Sequence, residues 1–405
     1  MKTQMSTRTR LAAACLVVLY LRLTPKRSFA GSRTFYRRAS LALTELQSWY
    51  YWSKCYWFLP WTRGQCCPAG TWGTFEWRWW NSANALNNTV DFTLLSGDRS
   101  QLPLIQSAFA NRRDEDYVAR NFTDDEGWWA LAWIDAYDLM AKSGSPFSSR
   151  YLERAQFIFS DMSKYWDPVC GGGIWWRKAP KSYKNAVANE LFLAVAAKLY
   201  RRTHGDIYLT WATRETDWFV GRSTLYERGK LIPDGLDSVT CSVTGRASNV
   251  WTYNQGVIMG AMIELGNLDT AKEIADAVLR SSVLVRNGIL TEIGEFNDGW
   301  DVNGNRQQYK GIFMRNLGTL YRALPKTDPE RGSYGTFIRR NAEAIWSRDR
   351  GDAGPPRFGV HWSDPAAGES NQATQCSAVG ALVAAISLDD EEAPTSVDAS
   401  SKGSP

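Results

Sequence analysis

Twelve segments of the chain carry apolar residues at the spacing of an α-helix, and from Trp79 onward they follow one another in pairs. Loops with glycine or proline separate them, and no segment shows the sustained alternation that is typical of a strand. The predicted helices span residues 39–50, 80–95, 101–112, 127–142, 149–166, 185–203, 206–221, 252–265, 267–281, 308–323, 330–347 and 371–387. The chain is therefore predicted to be all-α, with few or no strands.

Alternate predicted helices begin with clusters of polar and aromatic residues, whereas the helices between them do not. The clusters start at Trp79, Asp124, Lys184, Thr252, Tyr309 and Asn371. Each helical hairpin reverses the chain once, so alternate helices placed in an inner ring present all six N-termini at one end. We therefore predict an (α/α)6 toroid of six helical hairpins with a polar basin at one end. An irregular bundle or solenoid has the same helix count, but the recurring polar starts favour the toroid.

An acidic triplet stands just ahead of the fourth predicted helix. Asp124, Asp125 and Glu126 are followed there by Gly127 and two tryptophans. One carboxylate would be explained as a helix cap that faces the positive end of the helix dipole. Three carboxylates beside aromatic rings also suit catalysis, and the residues of the triplet alone support both interpretations equally.

The net charge and the tryptophan content indicate which class of molecule the protein binds. Of 47 basic residues, nine lie in residues 1–44, which contain no acid, so the remainder carries 38 bases against 42 acids, a net charge of −4. A mildly acidic body argues against nucleic acid as a partner. The 20 tryptophans suit a sugar-binding groove, because aromatic faces match the apolar C–H faces of sugars.

The first 30 residues have the pattern of a secretory signal peptide. Basic residues precede an apolar run from Leu11 to Leu21, and Ser28-Phe29-Ala30 resembles a cleavage site. The run is shorter than the roughly 20 residues of a spanning helix, which disfavours an uncleaved anchor. We expect a secreted or cell-wall-associated protein without a membrane span in the mature chain.

Six cysteines would remain after removal of the signal peptide, and an even number is compatible with disulfides in an exported protein. They are Cys55, Cys66, Cys67, Cys170, Cys241 and Cys376. His204 and His361 are the only histidines and no Cys-x-x-Cys pair occurs, so we expect no metal site and no cofactor. The sequons Asn87-Asn88-Thr89 and Asn121-Phe122-Thr123 predict a glycoprotein, although a glycan at the second would crowd the acidic pair.

Two stretches fall outside the helical pattern. Residues 51–70 are rich in aromatic residues and have no period, which predicts an irregular insertion, either a lid over the basin or an erroneous segment. Residues 389–405 are acidic and rich in Ser and Pro, which predicts a disordered tail without the apolar end of a GPI signal. The domain plan is therefore a signal peptide over residues 1–30, a helical domain over 31–388 and the tail.

Five strings in the predicted helices resemble glycoside hydrolase family 76, the α-1,6-mannanases. They are WWNSANAL from Trp79, DDEGWWALAW from Asp124, CGGGIWW from Cys170, YKNAVANELF from Tyr183 and WTYNQG from Trp251. The resemblance implies an (α/α)6 toroid whose two adjacent aspartates form the catalytic pair, with Asp124 as nucleophile and Asp125 as general acid/base. It also implies an endo-acting enzyme that cleaves α-1,6-mannosidic linkages of mannan.

Adjacent aspartates point to a retaining mechanism. Their carboxyl groups can reach the separation of about 5 to 5.5 Å that retaining glycosidases use, whereas inverting enzymes need roughly 6.5 to 9.5 Å.

The remaining clusters are predicted to bind sugar through aromatic faces and polar side chains. The predicted substrate-binding residues are Trp80, Asn81, Asn84, Trp128, Trp175, Trp176, Lys184, Asn185, Asn189, Tyr253, Asn254 and Gln255. The loop Gly171-Gly172-Gly173 is predicted to let a chain approach the backbone closely.

Other functions remain as alternatives. A transglycosidase would use the same covalent intermediate and pass it to a sugar hydroxyl, and the residues quoted do not separate transfer from hydrolysis. A non-catalytic carbohydrate-binding protein would have no need of two adjacent acids. A terpene cyclase would need a D-D-x-x-D motif, and Trp128 stands at its last position. We expect a monomer that acts on α-1,6-linked mannan or a mannoprotein glycan.

Overall fold

The computed structural model describes residues 33–50, 79–110, 112–243, 249–297, 304–349, 354–363 and 370–389. These residues contain twelve long helices, each within a few residues of its predicted position. They are α1 (Thr34–Tyr50), α2 (Trp79–Ser96), α3 (Leu102–Ala110), α4 (Thr123–Lys142), α5 (Ser149–Met162), α6 (Ala186–Thr203), α7 (Asp206–Phe219), α8 (Thr252–Glu264), α9 (Leu268–Leu279), α10 (Tyr309–Ala323), α11 (Arg331–Ala344) and α12 (Gln372–Asp389).

The even-numbered helices form a closed inner ring. Each packs against the next, and α12 packs against α2. The odd-numbered helices lie outside this ring: α1 packs on α12, α3 on α2, α5 on α4, α7 on α6, α9 on α8, and α11 on both α10 and α12. The predicted all-α toroid of alternating inner and outer helices is therefore confirmed.

Inner helices are buried on nearly all sides, which explains their content of small residues. In α6 and α12 most side chains are inaccessible to solvent. At the crossing of α10 and α12, a Cβ atom on Gly380 would lie 2.8 Å from the carbonyl oxygen of Gly311. Only glycine at position 380 permits this close approach of the two helices.

The strands are short and lie in the connections. β1 (Tyr183–Asn185) pairs with β2 (Gly235–Asp237) in antiparallel orientation, with Lys184 opposite Leu236. A second hairpin joins β3 (Val285–Arg286) and β4 (Ile289–Leu290). The first pair matters for the site, because it brings the loop before β2 to the N-terminus of α6.

Asp389 links the two ends of the helical domain. Its carboxylate accepts hydrogen bonds from the backbone N–H groups of Phe35 at 3.0 Å and Tyr36 at 2.8 Å. It thereby satisfies donors at the start of α1, which have no partner within that helix. The predicted tail boundary is therefore one residue too early, because Asp389 is buried and belongs to α12.

Several predictions fall on other parts of the chain. The signal peptide (residues 1–30), the insertion (residues 51–70) and residues 390–405 lie outside the described residues. Among the helices that the structure does describe, none is sufficiently long and apolar to cross a membrane.

Candidate active site

A cavity of about 610 Å³ opens at the N-terminal end of the inner ring. Side chains from the starts of α2, α4, α6, α8 and α10 line it, so that five of the six predicted clusters meet there. The lining residues are Trp80, Phe122, Asp124, Asp125, Trp128, Trp176, Arg177, Tyr183, Asn185, Asp234, Asn249, Trp251, Tyr253, Asn305, Arg306 and Tyr309. The sixth cluster, at the start of α12, does not contribute to this lining.

The start of α4 is held by pairing with the segment around Trp176. The N–H of Thr123 donates to the carbonyl oxygen of Trp176 at 3.0 Å, and the Thr123 hydroxyl donates to that of Trp175 at 2.6 Å. The N–H of Lys178 donates to the carbonyl oxygen of Asn121 at 2.9 Å. These bonds fix the first turn of the helix against a neighbouring strand-like segment.

Both aspartates lie inside the first turn of α4, whereas the sequence placed them just ahead of the helix. Phe122 occupies the N-cap position and makes no side-chain cap. One oxygen of Asp124 accepts the N–H of Asp125 at 3.0 Å, and the other accepts the indole N–H of Trp176 at 3.0 Å. Asp125 accepts no hydrogen bond from the residues described here, so capping does not explain its presence.

The two carboxyl groups differ in their electrostatic surroundings. Burial raises the pKa of Asp124 to about 6, against the opposing effect of its hydrogen bonds with Trp176 and the backbone. Burial and the neighbouring charge of Asp124 raise the pKa of Asp125 well above its usual range. The hydrogen bonds of Asp124 therefore favour its ionised form, whereas burial and the charge of Asp124 favour the protonated form of Asp125. This is the division of roles that a retaining glycosidase needs.

A third carboxylate, Asp234, faces the same cavity and was not predicted. The hydroxyl of Tyr183 donates to it at 2.7 Å. The backbone of Asp234 is held by the N–H of Ala186 at 2.6 Å and the carbonyl oxygen of Asn249 at 2.9 Å. Burial raises its pKa, partly offset by the bond from Tyr183. The sequence Pro233-Asp234-Gly235 is typical of a turn and carried no sign of a site.

An aromatic wall forms one side of the cavity. Tyr253 and Tyr309 stack with ring centroids 3.8 Å apart, and Trp80 lies 6.0 Å from Tyr309 and 5.8 Å from Trp128. Trp251 completes the wall at 6.1 Å from Tyr309. Trp128 is only 2% exposed, so it supports the wall and presents little of its own surface. Tyr309 and Trp251 were not predicted as site residues, although Tyr309 begins one of the predicted clusters and Trp251 begins the string WTYNQG.

Two guanidinium groups, also missed, lie at the cavity. Arg177 lies over the rings of Phe122 and Trp176, 5.0 Å from each centroid. Arg306 lies 4.6 Å from the Trp251 ring. The charge of Arg306 offsets part of the increase that burial causes in the pKa of Asp234.

Five predicted substrate-binding residues line the cavity, namely Trp80, Trp128, Trp176, Asn185 and Tyr253. Asn185 is also the N-cap residue of α6, where its side chain accepts the N–H of Ala188 at 3.3 Å. The other seven predicted residues do not line this cavity. They are Asn81, Asn84, Trp175, Lys184, Asn189, Asn254 and Gln255.

Three of these seven fasten connecting loops to the inner ring. The fully buried Lys184 donates to four carbonyl oxygens of residues 167–173, at 2.6 to 3.0 Å. The amide of Asn189 bonds both backbone groups of Ile174, at 2.7 and 3.2 Å. That of Gln255 bonds both backbone groups of Ile232, at 2.8 Å each. Buried loop backbone needs such partners, which accounts for polar residues at helix starts.

Three of the other four are likewise bonded within the protein, and the fourth is Asn254. Asn81 donates to the side chain of Gln308. Asn84 accepts from Arg315 at 2.9 Å. The indole of Trp175 donates to Asp167. Asn254 is buried, and its amide helps to lower the pKa of Asp234.

The glycine loop also has a structural role. Gly171, Gly172 and Gly173 have φ values of 77°, 149° and 86°. A Cβ atom on Gly173 would lie 2.5 Å from the ring of Trp218 and 2.7 Å from the side-chain oxygen of Asn189. The close approach predicted for a substrate chain is therefore made by Trp218.

A disulfide and the two sequons complete the predictions near the site. Cys170 and Cys241 form a disulfide with an S–S distance of 2.15 Å, whereas Cys376 is free and buried.

The asparagine of the first sequon, Asn87, lies within α2, is 1% exposed and donates a hydrogen bond to Asp135 at 2.6 Å. In the folded protein the first sequon is therefore closed to glycosylation. At the second, the side chain of Asn121 already bonds both backbone groups of Ala179, at 2.6 and 3.0 Å.

Solved structures with the same fold include enzymes described as mannanases. An inactive variant of the alpha-1,6-mannanase of Salegentibacter sp. HEL1_6, in complex with alpha-1,6-mannotriose, matches with a TM-score of 0.72 and 24% identity, over 87% of this chain and 99% of that one. A protein of Listeria innocua matches with a TM-score of 0.71 and 26% identity, over 88% of this chain and 98% of that one.

Fungal relatives are similar in sequence. The mannan endo-1,6-alpha-mannosidase DCW1 of Candida albicans is 26% identical over 64% of this chain and 62% of its own length. A putative mannan endo-1,6-alpha-mannosidase of Schizosaccharomyces pombe is 29% identical over 71% of this chain and 68% of its own. The match with the Candida albicans relative thus spans less than two thirds of that protein.

The family model described as Glycosyl hydrolase family 76 matches residues 37–398. That range includes every string on which the resemblance was based, and the resemblance is confirmed. The chain belongs to glycosyl hydrolase family 76.

Proposed function

We propose that this protein is an endo-acting glycosidase that cleaves α-1,6-mannosidic linkages of mannan with retention of configuration. The observation that carries the proposal is the pair Asp124 and Asp125 in the first turn of α4, where both line the aromatic cavity. The names of the fungal relatives support the linkage. So does the mannotriose bound by the variant of the structurally similar mannanase.

In the first step Asp124 attacks the anomeric carbon of the mannose unit on the donor side. The bond from that carbon to the glycosidic oxygen breaks as Asp125 gives its proton to the leaving 6-oxygen. The indole N–H of Trp176 and the positive end of α4 keep Asp124 ionised, since both stabilise its negative charge. The product is a mannosyl ester of Asp124 and a carboxylate at Asp125.

In the second step water replaces the leaving group. Asp125, now ionised, takes a proton from the water while its oxygen bonds to the anomeric carbon and the ester bond breaks. Asp124 leaves as a carboxylate, and Asp125 is protonated again. Two displacements at one carbon give net retention.

The cavity offers contacts for several sugar units. Its volume lies within the roughly 300 to 1,000 Å³ of typical ligand pockets. Rings of Trp80, Tyr253 and Tyr309 provide surfaces on which the C–H faces of mannose can stack. Asp234 accepts hydrogen bonds from sugar hydroxyls, and Arg177 donates to their oxygens.

Product analysis on an unbranched α-1,6-mannan backbone tests the proposal. Proton NMR of the early digest should show the α-anomer at the new reducing ends of internal fragments, before mutarotation. A β-anomer as the first product, or no cleavage at all, would overturn the proposal. A parallel digest with a short mannoside acceptor reports transfer, because transfer would give products longer than hydrolysis can.

We also propose that the protein is exported and that residues 1–30 are removed. The disulfide between Cys170 and Cys241 supports an oxidising compartment. N-terminal sequencing of protein recovered from the medium tests this, and a mature chain that begins at Met1 would contradict it.

A further inference from the structure

The third acid of the triplet has no part in the proposed reaction. Glu126 is fully buried and does not line the cavity. It forms an ion pair with the ammonium group of Lys178. That group also donates to Asp161 of α5 at 2.7 Å and to the carbonyl oxygen of Val118 at 2.7 Å. One lysine thus joins α4, α5 and the helical turn that precedes α4.

Lys178 ends a short segment that carries two cavity residues. This segment, residues 174–178, is here termed the Trp176 segment. Its Trp176 donates to Asp124, and its Arg177 lines the cavity. The hydrogen bonds between this segment and residues 121–123 are donated by backbone N–H groups or by the Thr123 hydroxyl, and backbone carbonyl oxygens accept them. Lys178 adds an ion pair at the end of the segment, and this contact is here termed the anchor.

We propose that Lys178 is a positioning residue, whose contacts with Glu126 and Asp161 hold the Trp176 segment against α4 so that Trp176 donates its N–H to Asp124. The inference rests on the proposed function, in which Asp124 is the nucleophile. Lys178 touches neither the cavity nor the dyad and acts only through Trp176.

Burial gives the anchor its rigidity. The Glu126 side chain is 0% exposed and that of Lys178 is 12% exposed, so water competes little for the pair. Burial also raises the pKa of Glu126 to about 8 even with Lys178 beside it. Below that pH Glu126 keeps its proton when Lys178 is replaced, so no unpaired charge remains in the core. Replacement of Lys178 by an uncharged residue is therefore compatible with folding.

Loss of the anchor has a specific signature. The indole donor lowers the pKa of Asp124, so a displaced Trp176 allows that pKa to rise. The acidic limb of kcat/KM against pH should then move up by about one pH unit. Activity should fall about tenfold below the limb and by less above it, where only the cavity contacts of Trp176 are lost. A role confined to stability would lower activity at all pH values alike.

The experiment compares Lys178→Met and Trp176→Phe with Lys164→Met. Lys164 also pairs with Asp161, at 2.9 Å, but its side chain is 64% exposed and does not reach Glu126. We expect the first two variants to shift the acidic limb upward by similar amounts, and the control to leave it in place. The double variant should shift it no further, because both changes remove the same hydrogen bond.

An unshifted limb in Lys178→Met, or additive shifts in the double variant, would overturn the proposal. If Lys178→Met does not fold, Lys178→Gln carries the same test, since it removes the charge and keeps a donor for Val118. Carbon-13 NMR of labelled aspartate, assigned with Asp124→Asn, follows the same pKa without substrate. An upward shift there in a protein that cleaves no mannan would support the role of Lys178 and contradict the proposed function.

Discussion

The indole nitrogen of Trp176 lies 3.0 Å from one carboxylate oxygen of Asp124 and donates a hydrogen bond to it. The other oxygen accepts the N–H of Asp125. Asp125 has no such donors among the described residues, and it lies beside the charge of Asp124. Adjacent residues of the same type are thus differentiated by their hydrogen bonds, because donors stabilise the ionised form of one of them alone.

Replacement of either aspartate by asparagine should abolish turnover and leave the fold intact. Asp124→Asn removes the nucleophile and Asp125→Asn removes the proton donor, so kcat should fall by roughly 10³-fold or more in each. Asparagine nearly matches the volume of aspartate, and circular dichroism should show an unchanged helix content. Asp206→Asn, at an exposed position in the first turn of α7, is the matched control. Near-normal activity in either dyad variant would leave that residue with a structural role only.

The pH dependence of kcat/KM should show an acidic limb near pH 6. Below the pKa of about 6, Asp124 takes up a proton and loses its nucleophilicity, so activity falls as the pH falls. The basic limb should lie higher, because the pKa of Asp125 is raised further and its proton is needed for the first step. Initial rates at subsaturating mannan from pH 4 to 9 measure both limbs. An acidic limb near pH 4 would contradict the burial of the pair.

Helix periodicity made the fold predictable, since apolar residues of each inner and outer helix repeat at 3.6 residues. It also located the site residues at helix starts, such as Trp80 and Tyr253. Asp234 and Arg306 could not be found in this way, because they lie in connections that have no period. Folding brings them to the cavity through the pairing of β1 with β2 and through the turn before α10.

Polar residues at helix starts proved ambiguous for a physical reason. Asn185 faces the cavity, whereas Lys184, one residue earlier, points into the carbonyl oxygens of residues 167–173. Both the cavity and the buried loops need polar partners at the same end of the ring. A sequence records the polar residue but not which of the two it serves.

Gly127→Ala should destabilise the start of α4. A Cβ atom at this position would lie 2.6 Å from the Cβ of Leu191 on α6, so the two inner helices would have to separate. Overpacking of this kind costs roughly 1 to 3 kcal/mol. Urea denaturation should show the lower free energy of unfolding. The value of kcat should also fall, because the displaced start of α4 carries Asp125, two residues before Gly127.

The matched control is Gly332→Ala on α11. No atom lies within 4 Å of a Cβ there, and alanine favours a helix, so stability should stay constant or rise slightly. A Gly127→Ala protein as stable as the parent would show that α4 and α6 are less tightly packed than the structure has them.

Glu215→Gln should stabilise the protein increasingly as the pH rises from 5 to 8. Glu215 is fully buried, and its carboxyl group accepts the indole N–H of Trp166 at 3.0 Å. Burial raises its pKa from 4.5 to about 8. Between these two values the unfolded chain loses the proton while the folded protein keeps it. The free energy of unfolding therefore falls with pH, by about 1.4 kcal/mol per unit for this group.

Glutamine keeps an acceptor for Trp166 and has no proton to lose, so the variant lacks this contribution to the slope. Below pH 4.5 both forms of residue 215 are neutral in the folded and unfolded states, and the two proteins should differ little. Guanidinium denaturation at pH 5, 6, 7 and 8 measures the difference, with the exposed Glu153→Gln as control. Glu126 and Glu292 have pKa values raised to about 8 as well, so the parent and the variant share their slopes and only the difference reports on Glu215. If the difference in the free energy of unfolding between variant and parent stays constant across this range, Glu215 is already ionised in the folded protein. Its charge would then be balanced by Lys184 and Arg214, the two cations that lower its pKa.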